Sequence, residues 1–348
     1  MLHLVFAGDI MGHDVNYRMA DYHDIYRGVQ QYLSGADLAV ANLEFPVDPG
    51  RGESGYPRFN GNAAYVRAAV DAGFNVLSAA NNHAFDGWAE GVLQTLRVLH
   101  ALGSVSARPL VFSGIRGNPR RPFLPETFVV RGVRVGFIAL TQFLNESDQG
   151  RFVDVVDYAD VMAAESFLRF LRDARGRYDL LIVSYHGDQE YSREASAGKS
   201  AFFRRMLEAG ANIVFSHHPH VVQRYELVRA GGSGRLIMFS MGNFISAMTW
   251  TMEPATADET TAATGEAYML KVDVRCEAGG CSVEQVVPIP VANYRNQRGE
   301  MVVGTLSDLA SGVIDLPAAW RSYYARRLDK MRQFLGMEAA GAPPANGN

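Results

Sequence analysis

Three histidines fall within four residues in His217-His218-Pro219-His220, a density that packing does not require and metal coordination does. Other side chains of ligand type lie far apart along the chain: Asp9, Glu44, Asn82 with His83, and His186. Carboxylates, an amide oxygen and imidazoles together suit a pair of hard or borderline divalent cations, and soft thiolate ligands are missing from the set. A carboxylate bridging two cations about 3.5 to 4 Å apart can hold a hydroxide for attack and stabilise the developing oxyanion, which is the chemistry of phosphoester hydrolysis. Each residue alone has an ordinary explanation. An Asp after a strand caps helices, Glu44 suits an exposed loop, Asn81-Asn82-His83 suits a polar turn, and a buried His186 needs a partner whatever its role. Of the remaining histidines only His13 is near enough in sequence to another candidate to stay in play, unlike His3, His23 and His100.

The elements that must position these groups follow from hydrophobic period. Short β-type runs at 37–42, 75–80, 133–141, 179–186, 211–216 and 235–240 alternate with amphipathic stretches near 22–33, 63–72, 88–102, 158–174 and 199–209. Gly73, Gly103 and Gly210 stand where helices should stop. Alternation of this kind predicts an α/β architecture, and consecutive strands at 268–275 and 282–291 predict an antiparallel part. Most of the candidate ligands then fall at the ends of strands, where open α/β sheets present ligand sites. Asp9 follows the first strand from Leu2, and His217-His218-Pro219-His220 follow the run through Phe215. The 46–62 segment, with Pro46, Pro49, Pro57 and several glycines, reads as a loop of functional length, and 249–266 as a second loop.

Other chemistries fit less well. Gly231-Gly232-Ser233-Gly234 lies between two expected strands and reads as a hairpin, not a phosphate cradle. There is no Walker lysine motif and no Gly-x-Ser-x-Gly elbow, and neither cysteine has a neighbour that would activate it. The chain has 348 residues, 48% of them hydrophobic, with a net charge of −4, so it offers no general basic field for nucleic acid. No apolar run approaches the roughly 18 residues of a membrane span. With neither leader nor anchor in this numbering, the expected location is cytoplasmic, or extracytoplasmic if a leader has been removed. Cys276 and Cys281 flank a plausible hairpin turn, which leaves open a cross-strand disulfide or two free thiols.

Six ordered blocks resemble the CapA-like family of capsule and poly-γ-glutamate biosynthesis proteins, which is similar in fold to calcineurin-type metallophosphatases. They are Phe6-Ala7-Gly8-Asp9-Ile10-Met11-Gly12-His13, Ala41-Asn42-Leu43-Glu44, Ala80-Asn81-Asn82-His83-Ala84-Phe85-Asp86, Ser184-Tyr185-His186 with Glu190-Tyr191, Ser216-His217-His218-Pro219-His220-Val221, and Phe239-Ser240-Met241-Gly242-Asn243-Phe244. The resemblance implies a four-layer αββα sandwich of two packed mixed sheets flanked by helices. It implies one or two divalent cations (Mn, Mg, Zn or Fe), with Asp9 on one, Glu44 bridging, Asn82, His186 and His218 on the other, and His220 returning to the first. His83 would face the substrate as a general acid or charge stabiliser. Asp86 and Glu190 join it as catalytic candidates, and His13, His217 and Asn243 are possible additions. Arg51 and Arg58 would hold an anionic substrate.

The chain also departs from the metallophosphatase pattern. Met11 stands where an Asp-x-His opening would place its histidine, Glu44 replaces a bridging Asp, and His186-Gly187-Asp188 replaces the family's His-Trp-Gly. The last change removes an aromatic wall and offers an extra carboxylate. The leading expectation is a metal-dependent hydrolase of phosphoesterase type acting on a phosphoester or on poly-γ-glutamate. The alternative is a non-catalytic accessory protein that binds or transfers such a polymer, and a third is a degenerate fold kept for structural interactions. A main domain at 1–300, a helical extension at 301–337 packed on it, and a disordered tail at 338–348 complete the expectation.

Overall fold

The computed structural model describes residues 1–120, 124–148, 151–230, 232–277 and 280–337, so the expected tail at 338–348 lies outside the described residues. The strands in chain order are β1 (Leu2–Ile10), β2 (Leu38–Leu43), β3 (Val76–Ser78), β4 (Val111–Ser113), β5 (Glu126–Val130), β6 (Val133–Thr141) and β7 (Leu180–His186). They continue as β8 (Ile213–His217), β9 (Tyr225–Ala230), β10 (Ser233–Met238), β11 (Asn243–Ile245), β12 (Glu266–Glu277), β13 (Gly280–Arg295) and β14 (Met301–Thr305). The helices are α1 (Gln30–Ser34), α2 (Ala63–Ala72), α3 (Trp88–Val105), α4 (Val161–Ala174), α5 (Ala197–Ala209), α6 (Glu259–Thr264), α7 (Leu306–Ser311) and α8 (Ala318–Phe334).

One sheet runs β14-β13-β12-β1-β2-β3-β4 with β11 beside β1, and the other runs β5-β6-β7-β8-β10-β9. Both are mixed: in the first, β1 to β4 are parallel, whereas β12, β13 and β14 are antiparallel. In the second, β6, β7, β8 and β10 are parallel and the edges β5 and β9 antiparallel. The strands that carry the candidate ligands are buried on both faces, and their alternation shows why. In β1, Leu2, Leu4 and Phe6 enter the core between the sheets, while Val5 and Ala7 face the outer helices. In β7, Leu180 and Ile182 point inward, and Leu181, Val183 and Tyr185 pack against α4 and α5. A period of two with apolar residues in both phases needs cover on both sides, which gives four layers. The sheets meet with β1 against β8, β3 and β4 against β6, and β13 against β10, and the Phe6 and Phe215 rings are 5.4 Å apart across the join.

Three expectations change. The helix expected near 22–33 is a 3-10 turn at Tyr22–Ile25 followed by the short α1. Gly28 interrupts it, and a Cβ there would lie 2.8 Å from the Val303 carbonyl oxygen, so this stretch is shaped by contact with β14 and not by helical period. The second loop contains α6, capped by Asp258 through Thr261 N–H. Residues 301–305, placed in a helical extension, form β14 on the edge of the large sheet, so the boundary at 300 falls between two paired strands. α8 then sends Tyr323, Tyr324, Leu328 and Met331 into the inter-sheet core. Cys276 and Cys281 are joined in a disulfide between β12 and β13, closing the alternative of free thiols. No helix among the described residues is long and apolar enough to cross a membrane.

Candidate metal centre

The ends of β1, β2, β7 and β8 converge between the sheets, and the turns leaving them carry the ligand-type side chains. Asp9 pairs across the ladder with Asn42 and donates its N–H to Gly242 O at 3.1 Å, while Glu44 N–H reaches Ile10 O at 3.0 Å. The backbone therefore fixes both carboxylates before any ligand binds. Asp9, Glu44, His186 and His217 are fully buried, and Asn82, His218 and His220 nearly so.

Two groups of donor atoms form. In one, His186 Nε2 lies 2.7 Å from Asn82 Oδ1, 3.0 Å from His218 Nδ1 and 3.8 Å from Glu44 Oε1. In the other, His220 Nδ1 lies 3.9 Å from Asp9 Oδ2, and His220 Nε2 lies 3.9 Å from Glu44 Oε1. Donors held about 2.0–2.2 Å from a cation are spaced in this range. Glu44 Oε1 belongs to both groups. It and Asp9 Oδ2 are buried and have no hydrogen-bond partner among the described residues, an arrangement that a bound cation would resolve. The donor set fits divalent metal.

The imidazoles are oriented from behind. His220 Nδ1 is 2.9 Å from Asn243 Oδ1, so its N–H points there and Nε2 is left toward Glu44. His186 Nδ1 is 2.7 Å from His217 Nδ1, and His217 Nε2 is 2.8 Å from Ser184 Oγ. With a cation on His186 Nε2, the protons would run from His186 to His217 and from His217 to Ser184. His217, with Asp9 Oδ1 3.7 Å away, thus sits against both the inner histidine and the first carboxylate. Asn42 Nδ2 ties the carboxylates together, donating to Asp9 Oδ1 at 2.8 Å and Glu44 Oε2 at 3.1 Å.

The turn at 217–220 is strained. His218 has φ 106° and His220 φ 58°, both in the left-handed region that side chains rarely adopt. Backbone bonds hold it: Gly187 N–H to His217 O at 3.1 Å and Tyr191 N–H to Pro219 O at 2.8 Å.

Electrostatics follow from burial. Loss of water pushes the Glu44 carboxyl well above the usual range, with the Asp9 charge adding to it, and burial also raises Asp9. Burial lowers His186, His217 and His218 far below the ordinary imidazole value, helped by the charges of their neighbours. The imidazoles are therefore held in the neutral form that can ligate, and the carboxylates lack the positive charge that would keep them ionised. Lys199 lies behind the centre, fully buried and pushed down to about 7 by burial, bonded to Phe239 O at 2.8 Å and Gly187 O at 3.2 Å.

Beside the ligands, His83 Nδ1 lies 2.7 Å from Asp86 Oδ2, which also accepts Phe59 N–H at 2.8 Å. The Phe59 ring stands edge-on to His83 at 4.5 Å, so the 46–62 loop buttresses this pair. Arg51 and Arg58 lie at the rim, their guanidinium carbons 5.6 Å and 5.5 Å from the centre of the half-exposed Trp88 ring. Arg51 Nη1 donates to Asp86 O at 3.4 Å, and Arg58 Nε to Glu146 Oε1 at 2.6 Å. Glu190 is exposed and grouped with the buried His218 and His220.

Two expectations are corrected here. Asp188 adds no carboxylate to the centre: it accepts Tyr158 O–H at 3.1 Å and Ser196 N–H at 2.8 Å, anchoring the start of α5. The aromatic wall is not missing either, since the Phe143 ring stands edge-on to His218 at 5.1 Å and Tyr191 lies 6.2 Å from His220. His13 stays outside the ligand groups; its Nδ1 accepts Ala247 N–H at 3.3 Å, and burial lowers it to about 4.

Residues 3–248, which span this whole centre, match the family described as Bacterial capsule synthesis protein PGA_cap. The chain belongs to that family. It is 28% identical over 271 residues to "Capsule biosynthesis protein CapA" of Bacillus anthracis, covering 72% of this chain and 61% of that protein. It is 27% identical over 257 residues to "PGA biosynthesis protein CapA" of Bacillus subtilis strain 168, covering 71% and 63%. The chain thus spans about three-fifths of the length of these relatives. Similar solved structures include a hypothetical protein from Thermus thermophilus (17% identity, TM-score 0.47, covering 83% of this chain and 98% of that one). The calcineurin-like phosphoesterase YfkN of Bacillus subtilis is another (12% identity, TM-score 0.39, covering 95% and 97%).

The PGA_cap match contains every donor of the two groups. Sequence reasoning did not single out Asn42, Ser184, Phe59 or Asn145 as site residues. Asn145 Nδ2 lies 3.2 Å from His83 Nδ1, and Asn145 Oδ1 accepts Asn82 Nδ2 at 3.3 Å, joining a ligand to the candidate acid. Nothing local marks it, because its loop after β6 reaches the site only through the stacking of the two sheets.

Proposed function

We propose that this chain is a metal-dependent hydrolase with phosphoesterase-type chemistry, serving capsule or poly-γ-glutamate metabolism. The observation that carries the reading is the orphaned Glu44 Oε1 shared by two donor groups. Asp9, Glu44 and His220 would hold one cation, and Glu44, Asn82, His186 and His218 the other. Cations bound there would polarise an anionic ester and lower the pKa of a bound water. The imidazole-rich set favours Mn, Fe or Zn over Mg. His83, its Nδ1 engaged by Asp86, presents Nε2 to hand a proton to the leaving oxygen. Arg51 and Arg58 orient the substrate's remaining negative charge, and Phe143 and Tyr191 limit access of water to the centre. We take residues 1–337 to act as one unit, with α8 part of its core.

The test is metal analysis of the purified protein with a screen of phosphoesters and γ-glutamyl polymers in added Mn²⁺. Bound metal with turnover supports the hydrolase; polymer binding without metal or turnover defeats it. The second reading, a non-catalytic protein that binds or transfers the polymer, draws on the relatives' names, which speak of biosynthesis and not of hydrolysis.

A further inference from the structure

Beyond the metal centre, on the side away from Arg51 and Arg58, lies a second cluster of positive charge. Arg193 and Arg224 place their guanidinium carbons 5.7 Å and 5.1 Å from the centre of one ring, Phe334, at the end of α8. With Lys330 they line a cavity of about 380 Å³. Two carboxylates face it, Glu259 and Glu266, but both are engaged by Arg327, and Lys330 Nζ reaches Glu259 Oε2 at 2.9 Å. Arg193 is left with contacts of 3.4 and 3.5 Å to the same two acids, and Arg224 makes no ion pair among the described residues. Four cations against two carboxylates leave net positive charge at an open cavity.

The topology sets where this cluster stands. In the large sheet β1 and β2, whose ends carry Asp9 and Glu44, stand between β12 on one side and β3 on the other, so the row of strand ends has the metal centre inside it. Arg51, Arg58 and Trp88 leave it at the β3 side. Arg224 precedes β9 and Glu266 opens β12, at the other side. Arg193 is tied to the centre by its own loop: Gln223 Nε2 donates to Ser192 O at 2.8 Å, and the preceding Tyr191 braces the 217–220 turn. Arg193 and Arg224 lie inside the family match, whereas Glu259, Glu266, Lys330 and Phe334 lie beyond residue 248, so the cluster joins the matched part to this chain's C-terminal part.

We propose that Arg193, Arg224 and Lys330 form a second anion subsite, which holds the carboxylates of the polymer of the proposed function where that polymer extends past the metal centre. The proposal rests on the reading that the metal centre is where the ligand is held. A small phosphoester would have no use for a second cluster of charge, whereas a polymer gains affinity from each cluster it spans. Two guanidiniums stacked on one aromatic ring are held as planar forks suited to carboxylates, and the chain's overall charge of −4 argues against a general attraction for nucleic acid.

The experiment compares a γ-glutamyl dimer, a long poly-γ-glutamate chain and a single-stranded DNA oligonucleotide of matched charge, each titrated by fluorescence anisotropy into the full chain with Mn²⁺. The long chain should bind at least about tenfold more tightly than the dimer. Arg224→Ala should remove most of that difference with metal content unchanged, Arg193→Ala with Arg224→Ala should remove the rest, and Arg224→Lys should restore part of it. Long-chain affinity within about twofold of wild type in the double variant would overturn the subsite. DNA binding as tight as the polymer, with equal loss in the variants, would overturn the polycarboxylate assignment. Phosphoester turnover with no dependence of affinity on chain length would defeat this inference and leave the hydrolase standing; length-dependent binding without metal or turnover would do the reverse.

Discussion

Two clusters of charge with buried members occupy the same end of the sheets and are settled in opposite ways. Around α8, Arg327 is almost wholly buried and meets Glu266 and Glu259, with Lys330 closing the network. Every carboxylate there finds a cation within the protein, and the Arg327 contacts hold Glu259 down to about 2. At the ends of β1 and β2, Asp9 and Glu44 are buried as deeply, yet they face neutral imidazoles and keep an oxygen apiece without a partner among the described residues. The protein supplies its own counter-charge at one place and withholds it at the other, which is compatible with a divalent cation at the second. The Arg327 pairs are architecture, and the second cluster is a deficit of positive charge with the donors already aimed.

Breaking each cluster should therefore cost different things. The largest effect is expected at the ligands: His218→Ala should abolish bound metal and with it all turnover, whereas His83→Ala should keep metal by elemental analysis while losing about 10²–10⁴ in kcat. If both variants kept full activity, the centre would be misplaced. Arg327→Ala should lower unfolding free energy in urea by about 3–5 kcal/mol, because it strands Glu266 without a partner, and should leave the metal stoichiometry alone.

Removing the cation with a chelator turns the second cluster against folding. The buried Glu44 carboxyl keeps a proton that the unfolded chain releases above its ordinary value of 4.5, so metal-free stability should fall as pH rises from there. Metal-loaded protein should not show that fall. His186, His217 and His218 act in the other direction: the unfolded chain binds protons below 6.5 that the folded chain refuses, so stability and metal should both be lost as pH drops through that region. Urea titrations across pH, with and without chelator, distinguish these slopes; parallel curves would show that no cation is held. The smallest effect is expected at Asn145→Ala, which should shift the pH profile of kcat and reduce it by about three- to tenfold without changing metal content.

What the sequence shows and hides follows the same division. The metal centre is legible because its donors cluster at strand ends, and a strand end is recognisable from a hydrophobic run that stops. The His217-His218-Pro219-His220 block stands out on composition alone. The α8 network is not legible: Arg327 and Glu266 are ordinary charged residues 61 positions apart, and only the fold reveals that they bury each other. Asp188 shows the opposite error. Its place beside His186 suggests a ligand, but its φ of 99° turns the chain and sends the carboxylate to α5. The aromatic wall is likewise restored by Tyr191, from the same block as His186, and by Phe143, which comes from the loop after β6 and carries no local mark of that role.

The left-handed backbone at His218 and His220 bears on how fast the centre fills. Its strain is held by hydrogen bonds from Gly187 and Tyr191 and by the sheet ends, none of which depends on a cation. The chain has thus met the cost of arranging its donors during folding, and loading involves no further ordering. Metal uptake should then be a single fast phase limited by encounter, with a heat-capacity change near zero, and ions should be chosen by how well they fit a fixed cage.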